Sequence, residues 1–255
     1  MTETQEKTPL FAKEEKDAII EEIEKAGAVV EPIETKEQSM ERQELEAWNP
    51  RTQLGKHVKE RKITDIDSIL DKGLKIFEPE IVSALIHAKS DLLEIGQAKG
   101  KFGGGKRRAW KQTQRKTAEG NVSTFACMAV IGDANGHVGL GYGKAKETLP
   151  ARAKAIRDAK INVIKIKRGC GSFDCNCNET HSLIHKVEGK CGSVKVVLIP
   201  APQGTGLVIG DESKKILRLA GIRDIYSRIS GQTRNTINTS KALIAALQKT
   251  TEDQA

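Results

Sequence analysis

The chain has 255 residues, 30% of them charged, with 42 Lys plus Arg against 34 Asp plus Glu for a net charge of +8. The excess is unevenly placed: residues 1–46 hold 14 acidic and 6 basic residues, a balance of −8, which leaves +16 on the remainder, and a body of that sign draws polyanions by counterion release. No apolar run of about 18 residues is present to span a bilayer and no charged-apolar-small leader opens the chain, so no membrane partner is expected and the cytosol, where cysteines stay reduced, is the expected compartment.

Residues 1–47 read as an acidic flexible arm, with one helical patch at Lys13–Lys25 that puts Ile19, Ile20 and Ile23 on a face too short to build a core. Residues 48–93 read as a helical N-terminal extension. Ile63, Ile66, Ile69 and Leu70, then Ile81, Leu85 and Ile86, recur at helical spacing; Thr64 or Asp65 is placed to cap the first helix and Pro79 to start the second. Lys99–Arg115, KGKFGGGKRRAWKQTQR, has seven cations, four glycines and almost no apolar period, and reads as a flexible basic loop.

Residues 94–166 form the next unit. Asn121–Ile131 is a strand, Asn135–Gly136 a tight turn, Val138–Tyr142 the returning Gly-rich strand, and Thr148–Ile166 a helix drifting into extended chain. Leu149, Ile156, Val163 and Ile164 are expected to line its inner side. A Cys-rich linker spans 167–193. A C-terminal α+β domain, 194–255, opens with the buried-type strand Val194–Ile199, stopped by Pro200 and Pro202, and continues through helices at Asp211–Ala220 and Asn238–Gln248 joined by an irregular, Arg-bearing segment. The class is α+β: a β-β-α domain and a second small α+β domain behind the extension.

The glycine clusters do not make a nucleotide enzyme. Gly143–Lys144 is followed by Ala145 where a phosphate loop needs Ser or Thr, and Val138 stands where that loop needs its first Gly. Gly204-Thr-Gly206-Leu-Val-Ile-Gly210 is one residue too long for the dinucleotide fingerprint. Turns, and backbone brought close to something bulky, explain these glycines better. No catalytic dyad is assembled either; Cys191 and His185 lie close in sequence with no third group to orient them.

Two patterns carry chemistry. Cys170, Cys175, Cys177 and Cys191 have the number and donor type for a closed, structural zinc site, with His181 and His185 placed so that either can replace one thiolate, Cys175 or Cys177 first; four reduced thiols without metal is the plain alternative. Cys127, inside an apolar strand, reads as core. The second pattern is basic. Lys101, Lys106, Arg107, Arg108, Lys111, Arg115 and Lys116 surround Gly103, Gly104 and Gly105, so charges and bare amides can follow a phosphate track. Lys144 and Lys146 lead into the helix, Arg152, Lys154, Arg157 and Lys160 project from it, and Arg168 follows. With nine aromatics scattered along the chain, the expected target is folded RNA, read by backbone and shape rather than by stacked bases.

The block GDANGHVGLGYGKAKE, the helix beginning near Pro150, the strand GSVKVVLIPAPQGTGLV and the later AGIRD resemble, in order, the two halves of the small-subunit ribosomal protein five family, over about Glu94–Thr250. WNPRTQLGKHVKERKI and EPEIV extend the resemblance to about residue 48 and are similar to the archaeal and eukaryotic branch; RGCGSFDCNC followed by GKCGSV is similar to archaeal members. The resemblance implies a first domain of double-stranded-RNA-binding type and a second of βαβ type. It implies a structural, non-enzymatic place on the solvent side of the small ribosomal subunit, bound to rRNA near the head–body junction and the mRNA entrance, beside small-subunit proteins two, three, four and eight. It matches Lys101–Arg108 to the family's decoding-related basic hairpin, which bears on assembly and translational accuracy. A free-standing RNA-binding regulator outside the ribosome is the alternative.

Overall fold

The computed structural model describes residues 45–97, 107–177 and 179–252. The Lys13–Lys25 patch, and Lys101, Gly103, Gly104, Gly105 and Lys106, lie outside the described residues.

The extension folds as three short helices, α1 (Gln53–Lys59), α2 (Asp67–Asp71) and α3 (Pro79–Leu85). The Thr52 hydroxyl caps α1 by accepting the Gly55 N–H at 3.0 Å, and Pro79 opens α3 as expected. The cap foreseen for the Ile66 helix does not form. α2 starts after Ile66 without a side-chain cap, and Ser68 Oγ instead donates to the Asp65 carbonyl at 2.8 Å. Glu78 joins the first and third helices, accepting the Arg51 and Thr52 N–H groups at 2.9 and 2.6 Å and the Trp48 indole N–H at 3.0 Å. Val58, Ile66, Ile69, Ile76, Ile81 and Val82 close over Val163 as one apolar cluster.

The first sheet has five strands, β1 (Lys89–Leu92), β2 (Trp110–Thr117), β3 (Gly120–Gly132), β4 (His137–Ala145) and β5 (Val163–Lys165). β1 and β2 share one edge of the long β3, pairing with its Ala129–Gly132 and Gly120–Cys127 stretches, while β4 takes the other edge. The helical reading of the extension to residue 93 fails at β1, whose four residues are too few to display a period of two. The basic loop is also shorter than its composition implies. Trp110–Thr117 is a strand whose residues are all exposed, so polarity there marks a solvated ribbon rather than an unstructured loop.

The β3–β4 turn is nucleated by Asp133, whose Oδ1 accepts the N–H groups of Asn135 at 2.7 Å and His137 at 3.1 Å. His137 then carries a clasp to the extension. Its Nδ1 lies 2.6 Å from Asp133 Oδ2 and its Nε2 2.9 Å from Asp67 Oδ1, and Lys165 Nζ reaches Asp67 at 3.3 Å and Asp71 at 3.0 Å. The hydrogen bond from His137, followed by that from Lys165, outweighs burial and holds the Asp67 carboxyl below its ordinary 3.8.

Helix α4 (Thr148–Ile161) ends earlier than expected and buries a different face. Leu149, expected inside, is 75% exposed, whereas Ala151, Ala155 and Ala159 are fully buried. The reason is in β4. A Cβ at Gly139 would strike the Ala159 carbonyl, one at Gly141 the Ala155 carbonyl and Ala159 nitrogen, and one at Gly143 the Ala151 carbonyl and Ala155 nitrogen. Glycine on the strand and alanine on the helix let the two backbones touch, which leaves no depth for a leucine.

The second half opens with the short pair β6 (Arg168–Gly169) and β7 (Ser182–Leu183) around the Cys-rich loop. It continues through β8 (Val187–Cys191), β9 (Val194–Pro200), β10 (Leu207–Val208), helix α5 (Asp211–Leu219), β11 (Ile225–Ser230) and helix α6 (Thr236–Glu252). The four-stranded sheet runs β10-β11-β9-β8, with β10 and β11 parallel and joined through α5, the βαβ arrangement expected for this half. The segment read as irregular between the two helices holds β11. One core runs through both halves: Leu93, Met128, Val130 and Val138 of the first half pack with Leu198, Leu217, Ile222 and Leu243 of the second half.

Gly141→Val is expected to lower stability to urea by roughly 1–3 kcal/mol or to block folding, because it overpacks a backbone contact. Leu149→Ala, on the same helix, is expected to stay within about 0.5 kcal/mol of the parent.

Candidate metal centre and nucleic-acid interface

The loop between β6 and β7 turns back on itself and brings Cys170, Cys175, Cys177 and His181 together, with their ligand atoms all within 4.8 Å of one another. Cys175 Sγ lies 3.1 Å from Cys177 Sγ and 3.7 Å from His181 Nε2. Thiolates about 2.3 Å from a zinc ion stand about 3.8 Å apart, so modest side-chain rotation opens this cluster to a filled tetrahedron. Cys191 is not part of it. It ends β8, paired with Val194, and packs against the main apolar core. His181 takes the fourth place, joining both Cys175 and Cys177 rather than replacing either, and His185 is outside the group.

The donor chemistry fits a metal. The Cys175 thiol is drawn down to about 6, first by the backbone N–H of Gln203 and then by the Cys177 side chain, while Cys177 is pushed up to about 11 by the Cys175 sulfur it faces. One proton is thus shared between two sulfurs at neutral pH, and a soft or borderline cation can replace it. His181 is 2% exposed, and its Nδ1 lies 2.9 Å from Asp224 Oδ2, although off the line of a good hydrogen bond. Asp224 was missed in the sequence because no ligand spacing points to it; it lies in the second half, just before β11.

The exposed cations expected at the interface that lie among the described residues sit on and beside the ribbon of the first sheet and along α4. Arg107 and Arg108 are exposed, and the Arg108 guanidinium sits 5.9 Å from the Trp110 ring centre. Lys111 of β2 and Lys144 of β4 pair with the same residue of β3, Ala126, so they and Arg115 share one face of the sheet, with Lys116 on the other. Lys146 just before α4 and Arg152, Lys154 and Arg157 along it are exposed, Lys154 and Arg157 pointing away from its alanine face and Arg152 on the flank beside β1.

Two cations expected at this interface do internal work instead. Lys160 is half-buried and donates to Ser83 Oγ at 2.7 Å. Arg168 Nη1 donates to the Ala134 and Gly221 carbonyls at 3.1 and 3.2 Å, bridging the β3–β4 turn to the second half. Arg168 also lines an open cleft of about 900 Å³, together with Lys214, Arg218, Arg223 and His181. Lys214, Arg218 and Arg223 were not recognised as a group, because helix spacing and a turn, not a charge run, bring them together.

A basic β-ribbon and helix on a small sheet, joined through one core to a βαβ half, define an α+β protein of the ribosomal, RNA-binding kind. Residues 105–167 match the family described as ribosomal protein S5, N-terminal domain, and residues 189–254 the family described as ribosomal protein S5, C-terminal domain. The chain is 47% identical over 206 residues to the small ribosomal subunit protein uS5 of Nanoarchaeum equitans, covering 80% of this chain and 88% of that one. It is 46% identical over 205 residues to that of Hyperthermus butylicus, with coverage of 80% and 89%, and 44% identical over 205 residues to that of Methanocaldococcus jannaschii, with coverage of 80% and 88%. The chain belongs to the ribosomal protein S5 family, as an archaeal-type member. No helix among the described residues is long and apolar enough to cross a membrane.

In metal-stripped protein at pH 7, Cys175 is expected to be the first cysteine alkylated and Cys127, which is buried with its thiol pushed up by that burial, the last. Time-resolved mass spectrometry of the alkylated peptides checks the order.

Proposed function

We propose that the protein is a structural, non-catalytic constituent of the small ribosomal subunit in the cytoplasm, bound to rRNA through the β2–β3 ribbon and the outer face of α4. The observation that carries this reading is the separation of the charge from the core. The alanine face of α4 is locked to β4, so Arg152, Lys154 and Arg157 have only the outer surface to occupy, and the ribbon carries Lys111, Arg115 and Lys116 with every β2 residue exposed. Lys and Arg on a rigid scaffold neutralise phosphates without reading bases. A position near the mRNA entrance and the head–body junction, contact with small-subunit proteins two, three, four and eight, and support of assembly and decoding accuracy belong to the same reading.

Reversing Lys111, Arg115 and Lys116 to Glu is expected to weaken binding to small-subunit rRNA and to flatten the log K against log [salt] slope by about 2 to 3, since each phosphate contact contributes about 0.7–0.9. An unchanged slope, with subunits assembled normally, would remove the ribbon from the interface. A free-standing regulator would instead hold isolated duplex RNA as tightly as the ribosomal target.

The Cys-rich loop is read as a structural zinc site held by Cys170, Cys175, Cys177 and His181. Four protein donors leave no open position, so the ion would supply a cross-link and no reaction. The expected elemental count is one zinc per chain in the parent and in Cys191→Ser, and none in Cys170→Ser. A count that falls with Cys191→Ser would restore the four-cysteine set.

A further inference from the structure

We infer that Asp224 is the positioning residue of the metal centre, and that through the same carboxylate the centre holds the Gly206 end of the Ala201–Gly206 turn in place. The inference rests on the zinc reading above and goes beyond its ligand set.

His181 and Asp224 are both nearly sealed from solvent, at 2% and 5% exposure. A buried imidazole that ligates through Nε2 must keep its proton on Nδ1, and that proton needs an acceptor. Asp224 Oδ2 is the atom within reach, at 2.9 Å, and a small ring rotation of the kind that filling the site requires brings it into line. The backbone fixes the pair further. The N–H groups of Arg223 and Asp224 both donate to the His181 carbonyl, at 2.9 and 3.2 Å. Asp224 therefore meets His181 through main chain and side chain together, across two segments far apart in sequence.

The second carboxylate oxygen faces the turn. Asp224 Oδ1 accepts the Gly206 N–H at 2.8 Å. The tip of this turn is tied outside itself by the Gln203 side chain, whose Nε2 donates to Glu179 Oε2 at 3.3 Å. Gln203 and Gly204 are exposed, Gly204 and Gly206 hold φ values of +89° and +73°, and a Cβ at either would meet nothing within 4 Å. Ala201 is buried at the start of the turn, and the glycine-bearing part beyond it is ordered by hydrogen bonds. One of those bonds ends on Asp224, the residue that orients the centre, and the Gly206 carbonyl also accepts the Ile225 N–H at 3.1 Å. Gly206 and His181 are also walls of the basic cleft, so the centre sets the shape of that wall.

The test uses the full chain, with zinc affinity measured by competition against a chromogenic chelator, cobalt substitution as the spectroscopic readout, and hydrogen exchange along residues 187–230. Asp224→Asn keeps the shape but cannot accept from both His181 and Gly206 with full strength. It is expected to weaken zinc by about ten- to hundredfold while the thiolate-to-cobalt bands persist. In a His181→Ala background, the same Asp224→Asn change is expected to add nothing, because the residue acts through the imidazole. Chelator stripping of the unmodified chain, which needs no variant, is expected to speed exchange at Gly206 and to leave β9 and β11 protected.

Parent affinity in Asp224→Asn, or an equal loss with and without His181, would overturn the positioning role. Exchange at Gly206 that ignores the metal would overturn the tie to the turn. A parent chain that takes up no zinc would instead sink the zinc reading itself, a result distinct from either.

Discussion

The contact on which the rest of the first half depends is backbone against backbone, where α4 lies on the glycine stripe of β4. The carbonyls of Ala151, Ala155 and Ala159 occupy the space that side chains at Gly143, Gly141 and Gly139 would need. Dispersion acts at full strength only when surfaces touch, so a helix seated this deeply gains close packing without large apolar residues. The helix cannot then rotate about its own axis: a turn of one position would drive Arg152 or Ile156 into a strand with no room for either. The direction of the basic face is a consequence of the alanine and glycine pattern, not of the charges themselves.

The same geometry explains how two small halves behave as one body. From Trp48 onward the chain forms a single compact unit. Its core passes from the first sheet to the second through Leu93, Met128 and Val138 on one side and Leu217 and Leu243 on the other. Polar ties reinforce the seam where apolar area runs out. Glu212 accepts the Glu94 N–H at 2.6 Å, Lys215 donates to the Leu92 carbonyl at 3.2 Å, and Arg168 bridges two carbonyls from opposite sides. Groups this close to a buried seam must be paired, which is why Arg168, a phosphate ligand by composition, turns inward.

What the sequence made legible follows from the range of each signal. The β3–β4 hairpin, the start of α3 at Pro79 and the strand from Val194 are local patterns with a strong stereochemical cause, and they stand in the structure, whereas the βαβ order of the second half was implied by the family resemblance alone. The inner face of α4 was misread because apolar periodicity assumes that large residues point inward, whereas here the partner strand leaves depth only for alanine. β1 and β2 were misread for opposite reasons, one too short to show alternation and the other too exposed to need it. The cysteine cluster was legible as to donor type and as to three of its members. Its fourth place was not, because sequence proximity cannot tell a loop from a strand.

That last distinction is physical. Cys191 is the last residue of β8, paired with Val194 across a tight turn in which Gly192 holds a φ of +60°. Register fixes its direction, and a strand side chain cannot be re-aimed without shifting every residue along it to the other face. The stretch from Cys170 to His181 has no such commitment. Phe173 at its tip is fully exposed, so little hydrophobic burial is available to order the loop, and without a core of its own such a segment needs a covalent or coordinate staple. Three thiolates on the adaptable part of the chain and one imidazole seated against Asp224 divide the work. On the proposed zinc reading, the loop supplies donors that can move to meet an ion, and His181, seated against Asp224, supplies the fixed point to which they are drawn.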